Sequence, residues 1–457
     1  MTQYNAGYVY FISLVAALGG LMFGFDLGII TGVVPYIEHQ FNLSGFSLGF
    51  VVAVFELGAM VGALGISVIA NKYGRKRTMI LCAAFFCITS IGVTYATGSY
   101  SLAAWRFAQG VCVGVASVLS PMYIAEVAPA KVRGMLVSLN QLTIILGILL
   151  SSIVNFYFGE SNLESENWRF MFLSALFPSA LFLFLLFFIP ESPRWFLAGA
   201  GSENKAHLIL LKIYKRNEVF VTEHIAEIKN SASENNVQSR VALKILFGKT
   251  FLPIVLIGFG IAILQQLCGI NNITPFMQKI FIMAGIDLKE GLMNAVLVQL
   301  VFFVFTFVAI ALVDRIGRKK LMLIGTGLMS ISLFLLAWAF NSQSSGILVL
   351  ILVMLYIATF AFTLGPVVWV LISEMYPPEI RGRAISLSSS VLWMATFFVI
   401  LFSPYILEFG AVFNFILFGI MNIAGFFFCL VFLPETKGKT LEQMKKLWEN
   451  PMKKDQI

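Results

Sequence analysis

"NKYGRKR" at residues 71–77 and "DRIGRKK" at 314–320 are one motif written twice. Each closes a long apolar run and opens another, and each supplies a glycine for a tight turn followed by basic residues. Two further pairs keep the same order and nearly the same offset: "EVAPAKVRG" at 126–134 with "EMYPPEIRG" at 374–382, and "PESPRW" at 190–195 with "PETKGK" at 434–439. Ordered matches at one spacing mean that the chain is built from two copies of one unit. Parallel repeats of this kind mark membrane carriers whose halves rock around a site near the bilayer midplane.

Composition agrees. The 457 residues are 59% hydrophobic and only 12% charged, with a mean hydropathy of +0.89. Soluble domains carry about 25% charged residues, so a polytopic membrane protein is expected. Apolar runs recur at 8–34, 46–70, 78–97, 101–125, 134–158, 168–189, 250–283, 291–313, 320–340, 346–373, 384–406 and 410–433. Each is near the roughly 20 residues that a spanning helix needs. The first run is too long for a signal-peptide core and has no basic region ahead of it, so it reads as a retained span.

The fold expected is therefore an all-α membrane protein of twelve transmembrane helices in two six-helix halves, 1–200 and 250–434. A cytoplasmic linker, 201–249, joins them, and a cytoplasmic tail, 435–457, follows. Ala206, Leu210, Ile213 and Tyr214, then Ile225 and Ile228, give the linker the spacing of short amphipathic helices. Alternate loops hold the basic clusters, from Lys72, Arg75, Lys76 and Arg77 to Arg381 and Arg383, whereas loop 159–167 is acidic. By the positive-inside rule both termini and the linker face the cytoplasm. Orientation thus accounts for the net charge of +8 without a nucleic-acid partner.

Asp26, in "GFDLGIITG" at 24–32, is a carboxylate inside an apolar span. A charge at that depth costs several kcal/mol unless paired, solvated or protonated, and intramembrane acids are usually functional. Asp26 lies about eight residues, roughly 12 Å, below the outer end of its span, and Arg106 of "AAWRFAQG" roughly 8 Å down the fourth. The similar depth permits an ion pair. Desolvation opposes ionisation of such an acid and a guanidinium favours it, and a group caught between them can load and release a proton. The alternative is a permanent ion pair holding the two spans together. Gly20, Gly24, Gly28 and Gly32, every fourth residue of the same span, make a smooth stripe for close helix packing.

"QQLCGINN" at 265–272 packs four carboxamides into one span. Each amide both donates and accepts, which suits sugar hydroxyls, and all would be expensive facing lipid. Gln265 and Asn272 share a face on an unbroken helix, and Gly269 and Pro275 are placed to break it and turn more amides inward. Hydrogen bonding between helices, with no ligand, is the alternative. Trp393 near the middle of the eleventh span, and Trp369 after "GP" in the tenth, can stack on a pyranose face or simply fill the core. At the loop ends, Glu126 with Arg133 and Glu374 with Arg381 are spaced to pair across neighbouring helix ends.

Together these motifs resemble the sugar porters of the major facilitator superfamily, over about Tyr10 to Leu441, and most of all the bacterial sugar–proton symporters. The resemblance implies the major facilitator fold. It also implies proton coupling through Asp26 with Arg106, and sugar contacts from Gln141, Gln265, Gln266, Asn271, Trp369 and Trp393, to which the amide cluster adds Asn272. Arg75, Glu126, Arg133, Glu191, Arg194, Arg318, Glu374, Arg381 and Glu435 would form a cytoplasmic gate that links the halves when the carrier faces outward. The chain departs from the family pattern at Pro275 and Phe276, where relatives have an aromatic pair, and at Phe302 and Thr396, where they have asparagines. The second half of the pocket therefore has fewer hydrogen-bond partners than a typical hexose site.

The expected function is import of a monosaccharide together with a proton by alternating access, a hexose first, with a pentose or polyol open. A uniporter, or a sugar sensor that does not transport, are the rivals. The chain is not read as an enzyme: it has no nucleophile–base pair and no metal-ligand spacing, and no cofactor or metal is called for. Sugar, proton and lipid bilayer are the expected partners, in the cell membrane of a bacterium, with the monomer as functional unit.

Overall fold

The computed structural model describes residues 4–129, 131–160, 166–197, 202–215, 217–238, 246–248, 251–377 and 380–437. Most of the tail, 438–457, and linker residues 201, 216, 239–245 and 249 lie outside the described residues. Among those described, twelve helices are long and apolar enough to cross a membrane. They are Ala6–Gln40, Gly45–Ile66, Arg75–Thr94, Ser99–Val127, Arg133–Gly159, Asn167–Leu186, Leu252–Ile273, Leu288–Val313, Arg318–Asn341, Gly346–Glu374, Arg381–Glu408 and Ala411–Phe432. Linker helices Glu203–Ile213 and Glu218–Gln238 bury Ala206, Leu210, Ile213, Ile225 and Ile228, as their spacing predicts.

Both "GRK" turns rest on their glycines. Gly74 has φ 97° and Gly317 has φ 98°, a region that side-chain-bearing residues rarely adopt. Each turns one spanning helix directly into the next.

Helix contacts divide the chain into two units. The first holds residues 1–29, 54–154 and 163–240; the second holds 30–53, 155–162 and 241–457. In the first unit the glycine stripe does what its spacing suggests: a Cβ on Gly20 or Gly24 would strike the Asn140 or Ile144 carbonyl of the fifth span, and one on Gly28 the Ser151 hydroxyl. The Thr143 hydroxyl donates to the Ala17 carbonyl across the same seam, at 2.7 Å.

In the second unit two spans are broken. The seventh stops at Leu267 and resumes at Ile270, around Gly269 with φ 101°. The break leaves the Cys268 carbonyl to the Tyr356 hydroxyl, 2.9 Å, and the Asn422 amide, 2.8 Å. The tenth breaks at Thr363, between Gly346–Phe362 and Leu364–Glu374, just ahead of Gly365 and Pro366. This unit also joins the far ends of the first and fifth spans to the seventh and eighth. The Thr31 hydroxyl donates to the Thr274 carbonyl at 3.0 Å, Lys279 pairs with Glu38 at 2.6 Å, and Lys289 pairs with Glu160 at 2.9 Å.

Candidate functional site

The Asp26–Arg106 pair forms. Arg106 Nη1 donates to Asp26 Oδ2 at 2.6 Å, with both side chains at most 2% exposed. The guanidinium lies between the rings of Phe55 and Phe172, at 4.4 and 5.5 Å from their centroids, and the aromatic faces attract the cation. Nη1 also reaches Gln109 Oε1 at 3.3 Å, and Gln109 donates on to Ser90 at 3.4 Å. The bonding is incomplete: Asp26 Oδ1 and Arg106 Nε are buried with no hydrogen-bond partner. A buried ion pair gains from Coulomb attraction and loses by desolvation, and unfilled bonding capacity tips the balance toward loss.

The second unit buries a cluster of carboxamides. Gln265 Nε2 donates to the carbonyls of Leu364 and Gly365, at 3.0 and 3.3 Å, so it is anchored on the broken tenth span. Gln266 Nε2 donates to Gln265 Oε1 at 3.3 Å, and Asn271 Nδ2 to Gln266 Oε1. The three amides form one directed row, possible only because the helix breaks between Gln266 and Asn271. The row ends at Asn271, which is half-buried.

Asn272, also expected among the sugar-binding residues, does not join the row. It is fully buried and exchanges two hydrogen bonds with Asn414 of the twelfth span, at 3.0 and 2.9 Å. This is the interhelical alternative, realised at one amide of the four. Trp369 is 41% exposed and free to stack, whereas Trp393 is buried. Phe302 packs its ring 6.1 Å from Phe360, and the Thr396 hydroxyl turns back to the Leu392 carbonyl at 2.9 Å. Both departures thus make this side of the second unit less polar. Gln141 belongs to the first unit, exposed on the fifth span.

The loop-end residues pair differently from their spacing. Glu126 binds Arg75 at 3.0 Å, and Glu374 binds Arg318 at 3.0 Å. The anticipated Glu126–Arg133 and Glu374–Arg381 pairs are therefore replaced, because Arg75 and Arg318 start their helices with their guanidinium groups buried against the acids. Arg381 donates instead to the Ser373 carbonyl at 2.9 Å. Glu191 accepts from the backbone amides of Arg75 and Lys76 at 2.8 and 3.0 Å, and Glu435 from those of Arg318 and Lys319 at 2.9 and 3.1 Å. Each acid thereby caps a helix start, where unpaired N–H groups and the helix dipole favour a carboxylate. Ser192 and Thr436 donate to the second oxygens of Glu126 and Glu374. Arg194 is exposed, and with Arg133 it acts on the buried Tyr214, whose phenol burial raises above its ordinary range against the pull of both cations.

Sequence reasoning passed over Glu56, a carboxylate 3% exposed in the second span. The signal was the one that singled out Asp26, an acid inside an apolar run.

The family model described as sugar (and other) transporter matches residues 12–448. The D-xylose-proton symporter of Escherichia coli strain K12 is 37% identical, with 100% of this chain and 99% of that protein aligned. The arabinose-proton symporter of Bacillus subtilis strain 168 is 34% identical over 98% of this chain and 96% of its own length. Among solved structures, the inward-open conformation of the xylose transporter XylE from E. coli superposes with a TM-score of 0.85 at 35% identity, covering 96% of this chain and all of the other.

Proposed function

Because the chain belongs to the sugar transporter family, we propose that it is a proton-coupled importer of a monosaccharide that works by alternating access. One observation carries the coupling: Asp26 and Arg106 form a buried ion pair that is left short of hydrogen bonds. Asp26 accepts the proton, and Arg106 holds the carboxylate until it does.

Gln265, Gln266, Asn271 and Trp369 bind the sugar from the second unit, with Gln141 and Trp393 completing the site. The amide row supports this, since Gln265 and Gln266 are pre-positioned and Asn271 keeps spare donors and acceptors. A pentose is favoured over a hexose. The relatives are named for D-xylose, arabinose and glucose, so the preference rests on Phe302, which packs on Phe360, and on Thr396, whose hydroxyl bonds to its own helix. Arg75, Glu126 and Glu191, flanked by Arg133 and Arg194, are the inner-gate residues of the first unit, and Arg318, Glu374 and Glu435, flanked by Arg381, those of the second. The distribution of basic residues supports cytoplasmic termini and linker, in a bacterial cell membrane. A monomer suffices for this mechanism, each chain holding both repeats.

Reconstituted protein with D-xylose, L-arabinose and D-glucose as probes tests it. An imposed inward proton gradient drives net accumulation by the wild type. In Asp26→Asn accumulation is lost while sugar exchange across the bilayer persists. Sugar that equilibrates across the bilayer but never accumulates under the imposed gradient would make the chain a uniporter with a structural ion pair.

A further inference from the structure

Glu56 stands in "VAVFELGAM" of the second span. Its side chain is buried, and Oε2 meets no hydrogen-bond donor among the described residues. The second and fourth spans interlock here without room for side chains between them. Gly58 and Gly62 abut the Phe107 and Val111 carbonyls, and Gly110 and Gly114 abut those of Phe55 and Ala59. That seam brings Glu56 level with Arg106. Phe55, the neighbour of Glu56, carries the Arg106 guanidinium over its ring, 4.4 Å from the centroid, so Glu56 is one residue along the span from a side chain that touches the cation.

Two buried carboxyl groups thus stand near one guanidinium, and among the described residues only Asp26 is bonded to it. Gln109, Phe55 and Phe172, which touch the cation, are neutral. An ionised carboxylate buried without a donor costs far more than a neutral carboxyl. The cluster is therefore electrically balanced when it holds a single proton, on Glu56, beside an ionised Asp26–Arg106 pair.

We propose that Glu56 is a second proton-carrying group of the coupling site and the alternative anionic partner of Arg106. This rests on the role given above to Asp26. A proton binds the Asp26 carboxylate and frees the guanidinium. Arg106 turns to Glu56, whose O–H bond breaks and whose proton leaves to water. Transfer of the proton from Asp26 to Glu56 then restores the starting pair. Arg106 stays protonated throughout, one proton enters for each one that leaves, and both resting forms are neutral. Without Glu56, protonating Asp26 would strand a buried guanidinium.

Glu56→Gln removes the second anion while keeping shape and resting charge. In reconstituted full-length protein, its accumulation of D-xylose needs about tenfold more protons for half-maximal rate than the wild type, the size of shift a nearby opposite charge ordinarily makes. Glu56→Asp restores the wild-type pH profile at least in part. An unshifted profile in Glu56→Gln, with Asp26→Asn still unable to accumulate, overturns the role of Glu56 and leaves Asp26 as the coupling acid. Accumulation by Asp26→Asn overturns the coupling role itself. Infrared difference spectra give a reading that needs no transport: a pH jump reports a protonated-carboxyl stretch that moves in Glu56→Asp. A band unmoved by that substitution contradicts the proposal.

Discussion

In the first repeat Arg75 donates to the Ala70 carbonyl and to Glu126, while Glu191 caps the helix that Arg75 begins. In the second, Arg318 donates to Val313 and Glu374, and Glu435 caps. Even the lysines correspond, Lys76 donating to Phe187 and Lys319 to Leu430. The apolar interiors share nothing of this. The first repeat buries the charged groups Asp26, Glu56 and Arg106 along with amides such as Gln109; the second buries the amides Gln265, Gln266, Asn272 and Asn414. Duplication kept the ends, where turn geometry and helix capping leave few solutions, and let the interiors diverge. One holds a buried ion pair, the other a row of linked carboxamides.

Substitutions in the interiors should separate the repeats. Arg106→Ala leaves buried carboxyls without their cation, and removing one partner of a buried pair costs about 3–5 kcal/mol. Thermal unfolding in detergent should register that loss, and no single amide substitution in the second repeat should match it. An Arg106→Ala protein as stable as a Gln265→Ala protein would erase the ionic–amide distinction. The ends, by contrast, should respond alike. Gly74→Ala and Gly317→Ala each force a side chain into a positive-φ turn and into the capping carboxylate of Glu191 or Glu435. Each should lose about 1–3 kcal/mol, and unequal losses would show that the repeated turns carry different loads.

Asn414→Ala strands the fully buried Asn272 amide and should cost about 1–3 kcal/mol of stability with sugar preference intact. A changed preference would return Asn272 to the sugar site. Smallest is Gln266→Ala, which removes the middle of the amide row. One hydrogen bond of about 1 kcal/mol weakens apparent sugar affinity by roughly fivefold, and the pH profile of uptake should stay where it was.

The contrast also explains what was legible beforehand. Spans, turns and the duplicated loop ends are written locally, in run length, in Gly74 and Gly317, and in the basic residues. The break at Gly269 could be read because a glycine among amides in an apolar span has few other uses. Partner choice was less accessible. Asn272 looks like its neighbours until Asn414, from another span, takes both its bonds. Glu126 is seven residues from Arg133 but binds Arg75, which only the packing of the second, third and fourth spans brings near. Glu56 carries the same signal as Asp26, yet its relation to Arg106 depends on the glycine seam between two spans.

The most direct measurement is of protons moved by sugar alone. Wild-type proteoliposomes in weak buffer, with no gradient imposed, receive D-xylose outside while external pH is recorded. Coupling through Asp26 predicts alkalinisation that follows sugar entry and is absent in Asp26→Asn. Sugar entry by the wild type with no pH change would contradict it.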